Sequence, residues 1–430
     1  MISRIEAYRY RCFQKLNIEL DQFHVFAGSN GSGKTTLLDI PALLGDMVRV
    51  TNINEAFFTC VNGRARSRAE NPIELVHKLR GEGFTLALEV DLPDSIKDLL
   101  VRNASNQWLN KFENPEKRPG VIRYELALKI LNDKLVVSEE HLYIFPKNKF
   151  RPEPGMGLIT ESMTFRKPCF EVISRSWGEN SVYTEEFRSG SGAELSFGLR
   201  ESQLALASLP ADHKLYPAAL WFQQYLLESA FSYEPQWTAM RVAASPRDKL
   251  CFKPDGSSLA WQVLHLQENN LKGFATWLEL VNMTLPNVIN VEARKRDDDG
   301  YCYLVATYKN EMQVPSTSLS HGTLHILALT IIPFVENAPN MLTLEEPENG
   351  VHPKAIHAIL ETLGLTQKTQ LWMSTHSPTV LANTELSNII TMRINSYGET
   401  EVLRGSEHPR LKNWKNDIDL GTLFAAGVFE

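Results

Sequence analysis

The stretch "FHVFAGSNGSGKTTLL", Phe23 to Leu38, is a short apolar run, then a glycine-rich turn, then the start of a helical pattern. Gly28 to Thr35 fits G-x-x-x-x-G-K-[ST] at every defined position. Such a loop turns backbone amides inward around a phosphate, and the helix N-terminus behind it adds a positive end. Gly28, Ser29, Asn30, Gly31, Ser32, Gly33, Lys34, Thr35 and Thr36 are therefore the candidate nucleotide cradle. Lys34 is placed to reach the β- and γ-phosphates, and the Thr35 hydroxyl to bind Mg²⁺. A glycine-rich turn matching by chance is the alternative, and the strand before it and helix after it weigh against that.

A second stretch asks for what this loop supplies. In "NMLTLEEPENGVHP" (340–353) an apolar strand runs into Glu345 and Glu346. Adjacent carboxylates at the end of a buried strand need a cation opposite them. Mg²⁺ with its nucleotide is that cation, with Glu345 holding the metal and Glu346 orienting the attacking water. An acidic helix N-terminus would read the same alone; beside the phosphate loop the chemical reading wins. In "SLSHGTLHILAL" (318–329), Ser320, His321, Gly322 and Thr323 open a helix. Its amides can grip a γ-phosphate, although a plain serine cap would look alike. "LWMSTHSPTVL" (371–381) puts His376 just past an apolar strand, as a strand-end residue or a γ-phosphate sensor.

Composition bounds the partners. The formal charge of −7 over 430 residues gives no global basic field, so nucleic-acid contact would need a local patch. "GRARSRAE", with Arg64, Arg66 and Arg68, is the candidate patch, against the commoner reading of a solvated surface. The five cysteines are scattered without a C-x-x-C pair, which argues against a zinc site and fits a reducing cytosol. The N-terminus lacks an apolar signal region, and the longest nearly apolar run, "HILALTIIPFV", is too short to span a bilayer. A cytoplasmic protein with no membrane partner is expected.

The pattern along the chain is α/β. Residues 1–48 hold strands and the phosphate loop, and 49–200 carry β-like runs such as "FTLALEVDL", "VIRYELALKI" and "EEHLYIF". Polar stretches such as "NASNQWLNKFENPEKRPG" separate these runs. Residues 201–290 turn helical, with "AALWFQQYLLESAF" and "GFATWLELVNMTL" clearest, and 291–430 alternate strand and helix. Trp221, Phe222, Tyr225 and Phe231 have near-helical spacing and read as core.

The order of these four elements resembles the ABC-class ATPases of the RecF/SMC/OLD branch, in particular bacterial OLD-like "AAA family ATPases". "EEPE" stands at the Walker B strand, "SHGT" where transporters have L-S-G-G-Q, "YRCF" (Tyr10–Phe13) at the opening aromatic-Arg motif, and "DLGTLFAAGVFE" at the tail. The likeness covers 1–45 and 315–430; in between, "KPDGSSLAWQVLHL" resembles a segment of these proteins after their helical region. The resemblance implies an ABC-type P-loop ATPase head built from both chain ends, with a β-rich and helical insertion. It implies a head-to-tail homodimer, or a higher homo-oligomer, around ATP and Mg²⁺, with Ser320 and Gly322 completing the partner's site. Glu346 and His376 would be catalytic with Lys34, and Arg11 would contact phosphate. His321 departs from the usual Asp or Gly, and the magnesium glutamine has no assigned position. The function implied is an ATP-hydrolysing switch gating a separate effector, a nuclease or another DNA-processing protein, in defence or repair. The rivals are an ATP-bound scaffold with little turnover and a stand-alone nuclease, the latter disfavoured because only 54 residues follow His376, where OLD nucleases carry an acidic Toprim domain.

Overall fold

The computed structural model describes residues 1–61, 67–147, 170–187, 194–249, 251–411, 414 and 418–429. These form two compact units: Met1–Asp21 with Asp39–Glu228 and Ile394–Val402, and Gln22–Leu38 with Ser229–Arg393 and Leu403–Glu430. The N-terminal strands, grouped by sequence with the phosphate loop, pair instead with the β-rich segment.

The first unit is built on an antiparallel eight-stranded sheet. Its order is Phe13–Glu19, Ile2–Tyr10, Gly83–Asp91, Val121–Leu131, Lys134–Phe145, Phe170–Ser176, Ser181–Thr184 and Glu194–Phe197. The longest hairpin closes through Asn132 and Asp133, both with positive φ, between the paired Leu131 and Lys134. That is the primed geometry matching the twist of antiparallel strands. Helix Pro217–Ser229 lies against the sheet, with the Phe222 ring 5.9 Å from Tyr124. Phe222 and Tyr225 are buried, as expected of core residues, while the Phe231 side chain lies outside the description. The stretch 103–120, read from sequence as a separator, contains helix Asn106–Phe112. Trp108 and Phe112 of that helix pack on Phe187, so its apolar residues serve a satellite core.

The second unit is a parallel sheet with helices. Ala230–Ser232, Met341–Glu345, Gln370–Thr375, Phe23–Gly28 and Ile389–Ile394 lie side by side, all parallel. The chain after the helix "AALWFQQYLLES" thus becomes a strand at Ala230, where helical periodicity was expected to continue. Strands buried on both faces need near-continuous apolar runs, and Val25, Phe26, Leu342, Leu371, Trp372 and Met373 are all fully buried. This is the expected α/β head, its sheet drawn from both chain ends. A small antiparallel sheet (Val288–Lys295, Cys302–Tyr308, Gln313–Pro315) accompanies it. Residues 297–300 make the turn between its first two strands. No described helix is long and apolar enough to cross a membrane.

Candidate functional site

Register brings the motifs together. Glu345 lies opposite Ser374, and Thr375 opposite Ala27, so three adjacent parallel strands end at one place. Ligands in open parallel sheets bind beyond the carboxyl ends of the strands, and Gly28, Glu345 and Thr375 mark those ends.

The loop after Phe23–Gly28 turns on two glycines. Gly31 and Gly33 adopt φ of 79° and 95°, where only glycine is unstrained. A Cβ on Gly28 would stand 2.0 Å from the Met392 carbonyl oxygen, so the strand admits no side chain there. Lys34 opens the helix Lys34–Arg49, and its ammonium donates to the carbonyls of Gly28 at 2.9 Å and Ser29 at 3.0 Å. Burial pulls its pKa down to about 8, while Glu346 and Glu345 oppose that shift. The Ser32 hydroxyl is fully buried and has no hydrogen-bond partner among the described residues. An orphaned hydroxyl in a glycine cradle fits a loop shaped for an anion.

The carboxylates meet the loop directly. The Thr35 hydroxyl donates to Glu345 Oε2 at 3.1 Å. Glu346 follows with φ +45°, a conformation costing a non-glycine residue roughly 1–2 kcal/mol. Its amide donates to the Ser374 carbonyl at 3.0 Å, its Oε2 accepts from Asn349 at 2.8 Å, and its Oε1 lies 3.4 Å from His376 Nε2. His376 titrates below an ordinary imidazole, through burial first and then the Lys34 charge. Glu348, the third acid of "EEPE", accepts from the Thr375 hydroxyl at 2.5 Å, and burial raises its pKa.

Ser320 and Gly322 stand at a helix start that abuts the turn after Glu346. Ser320 caps helix His321–Thr330 by accepting from the Thr323 amide at 3.1 Å. A Cβ on Gly322 would meet the Gly350 carbonyl oxygen at 2.9 Å. A cleft of about 230 Å³ borders Glu345 and Glu346 and is also lined by His321, His325, Asn349 and Gln236. Gln236 escaped the sequence reading. It sits just past the short strand Ala230–Ser232, and a strand that brief, fused to a helix, leaves no periodicity to find.

One arginine reading changes. Arg11 lies in the first unit, where it donates to the Arg68 carbonyl at 2.5 Å. Arg68, read as part of an exposed basic loop, is buried and holds Asp39 at 2.7 Å and Asp46 at 2.8 Å. Two carboxylates upstream make it an interior counter-ion rather than a free cation. Arg64 and Arg66 lie outside the described residues.

Among solved structures the chain is similar to an SMC head bound to the C-terminal winged-helix domain of ScpA (12% identity, 94% of this chain, 97% of that one, TM-score 0.49). It is also similar to the SMC head domain from Thermotoga maritima (10% identity, 94% and 98%, TM-score 0.40). A Pyrococcus furiosus Smc head with an extended coiled coil, bound to the C-terminal domain of ScpA, gives 11% identity, 94% and 95%, and TM-score 0.45. No curated protein matches the chain. A family model described as "AAA domain, putative AbiEii toxin, Type IV TA system" matches residues 23–382. That span opens on the first residue of the phosphate-loop strand and closes on the last residue of the helix after His376. It thereby takes in every motif gathered at the strand ends, and the chain belongs to this AAA-domain family.

Proposed function

We propose that the chain is an ATP-hydrolysing switch, with Lys34, Glu346 and His376 as its catalytic groups. The carrying observation is the convergence of Lys34, Thr35, Glu345, Glu346 and His376 at the ends of three neighbouring parallel strands. Amides of the loop 28–36 and the Lys34 ammonium would hold the phosphates, and Lys34 would exchange its carbonyl partners for phosphate oxygens. The hydroxyl of Thr35 and the carboxylate of Glu345, 3.1 Å apart, form an oxygen donor pair of the kind Mg²⁺ takes. Bound there, magnesium supplies charge neutralisation on the phosphates. Glu346, half-exposed, would orient water and accept its proton as the γ-phosphoryl group leaves ADP. His376, 3.4 Å from that carboxylate, would bear on the same water and γ-phosphate.

The rest of the reading extends further. Two copies would close head to tail around ATP, each lending Ser320 and Gly322 to its partner's nucleotide, and Arg11 would touch a phosphate. Closure would gate a separate cytosolic effector, a nuclease or other DNA-processing protein, in defence or repair; the family description, which names a toxin system, supports that setting. The test is paired substitution. Lys34→Ala should weaken ATP binding at least tenfold, because the ammonium acts on phosphate charge in ground and transition states. Glu346→Gln should keep ATP bound and stop turnover. Hydrolysis at the wild-type rate by Glu346→Gln would overturn the assignment, and ATP occupancy without wild-type turnover would make the chain a scaffold.

A further inference from the structure

The turn carrying Glu346 is held in a strained backbone shape from several sides. From the strand beside it, the Ser374 carbonyl accepts the Glu346 amide at 3.0 Å, and Thr375 donates to Glu348. The residue between these two acids is Pro347, which has no amide to donate. Only its carbonyl can tether it, and that carbonyl accepts from His325 Nε2 at 3.0 Å. His325 lies one turn into helix His321–Thr330 and is 8% exposed.

The accepting carbonyl places the proton on Nε2, so Nδ1 is a lone-pair nitrogen. Nδ1 is buried and has no hydrogen-bond partner among the described residues. Burying a ring with one unpartnered nitrogen is unfavourable, and a leucine would fill the same position without that penalty. Packing alone therefore does not account for an imidazole here; the carbonyl of Pro347 does. The same helix also closes on the turn at its start. A Cβ on Gly322 would meet the Gly350 carbonyl oxygen at 2.9 Å, and one on Gly350 would meet His321 Cε1 at 3.0 Å.

We infer that His325 is a positioning residue for Glu346: by fixing the Pro347 carbonyl, it holds the strained turn that aims the Glu346 carboxylate at water. This rests on Glu346 being the water-activating group. Without the tether the turn relaxes toward ordinary backbone angles, and the carboxylate moves while the phosphate loop does not. A misplacement of about 1 Å can lower a rate by about a hundredfold.

The experiment compares His325→Leu, His325→Gln and wild type in steady-state ATP turnover, thermal melting and amide exchange across residues 345–351. His325→Leu should still fold, with a melting temperature within a few degrees of wild type, since removing a buried unpartnered nitrogen offsets the Pro347 carbonyl left without its donor. Its kcat should fall roughly ten- to a hundredfold with KM within about twofold, and the turn amides should exchange faster. His325→Gln, whose amide reaches about as far as Nε2, should recover most of kcat and the protection. Wild-type kcat in His325→Leu would overturn the inference. A loss that glutamine does not rescue, with exchange in the turn unchanged, would overturn it equally. A wild-type protein that binds ATP without hydrolysing it would instead sink the hydrolytic reading, and the exchange data alone would then decide whether His325 fixes the turn.

Discussion

Burial lowers the Lys34 ammonium to about 8 from an ordinary 10.5, against the pull of Glu346 and Glu345. A nucleotide phosphate would replace its carbonyl partners with negative charge and raise it again. The free protein therefore loses this proton as pH rises through about 8, while the complex keeps it. Binding should take up protons, about half of one at pH 8 and nearly one at pH 9, and affinity should fall up to about tenfold per unit above pH 8. Titration calorimetry at pH 9 in two buffers of different ionisation heat reads this directly. Heats that do not depend on the buffer would show that Lys34 is not the phosphate ligand. At this scale much was legible: the spacing of Gly28, Lys34 and Thr35 admits few other chemistries. Arg68 was not, because its partners Asp39 and Asp46 stand 29 and 22 residues upstream, where no local pattern reports them.

Strands taught a different lesson about what alternation can say. Arg123 and Glu125 alternate with apolar residues along Val121–Leu131, as on a strand with one wet face, yet both are fully buried. Arg123 holds Glu6 at 2.9 Å, Glu89 at 2.7 Å and Glu125 at 2.6 Å, and Arg4 adds a second cation near Glu89 at 3.4 Å. Carboxylates from three strands meet one guanidinium, a match set by register that no single strand displays. Removing the arginine leaves those carboxylates buried with less compensation, which costs about 3–5 kcal/mol. Arg123→Met should therefore lower stability by about that amount at pH 8. Burial already holds Glu89 above its ordinary range. Losing Arg123, a cation that opposes this rise, lifts Glu89 further above its unfolded value. A raised carboxylate penalises folding above its folded pKa, and the penalty shrinks as pH falls through it. The deficit measured by denaturant unfolding should accordingly be smaller at pH 5 than at pH 8. An equal deficit at both would mean packing, not charge, sets the role of Arg123.

Across the whole chain, four motifs spread from Gly28 to His376 could be read as one site because each sits where a parallel strand ends or a helix begins. The first unit was less legible, because its eight strands could pair in many orders and no local pattern selects one. The same holds for assembly. Under the proposed head-to-tail closure, Ser320 and Gly322 would serve a second copy's nucleotide, although within their own chain Ser320 caps its helix through Thr323. If so, Ser320→Arg should bind ATP through its intact phosphate loop and fail to turn it over, because the altered helix start no longer completes the partner's site. Lys34→Ala should fail for the opposite reason, keeping a sound helix start and a damaged loop. Mixed together, these dead proteins form heterodimers in which one composite site has both intact halves and the other has neither. Random pairing of equal amounts makes half the dimers mixed, each with one good site of two, so about a quarter of wild-type activity should return. Activity should also rise steeply with protein concentration in the range where dimers form. No rescue at any ratio, with both variants folded, would mean that each chain completes its own site and that Ser320 is a helix cap and nothing more.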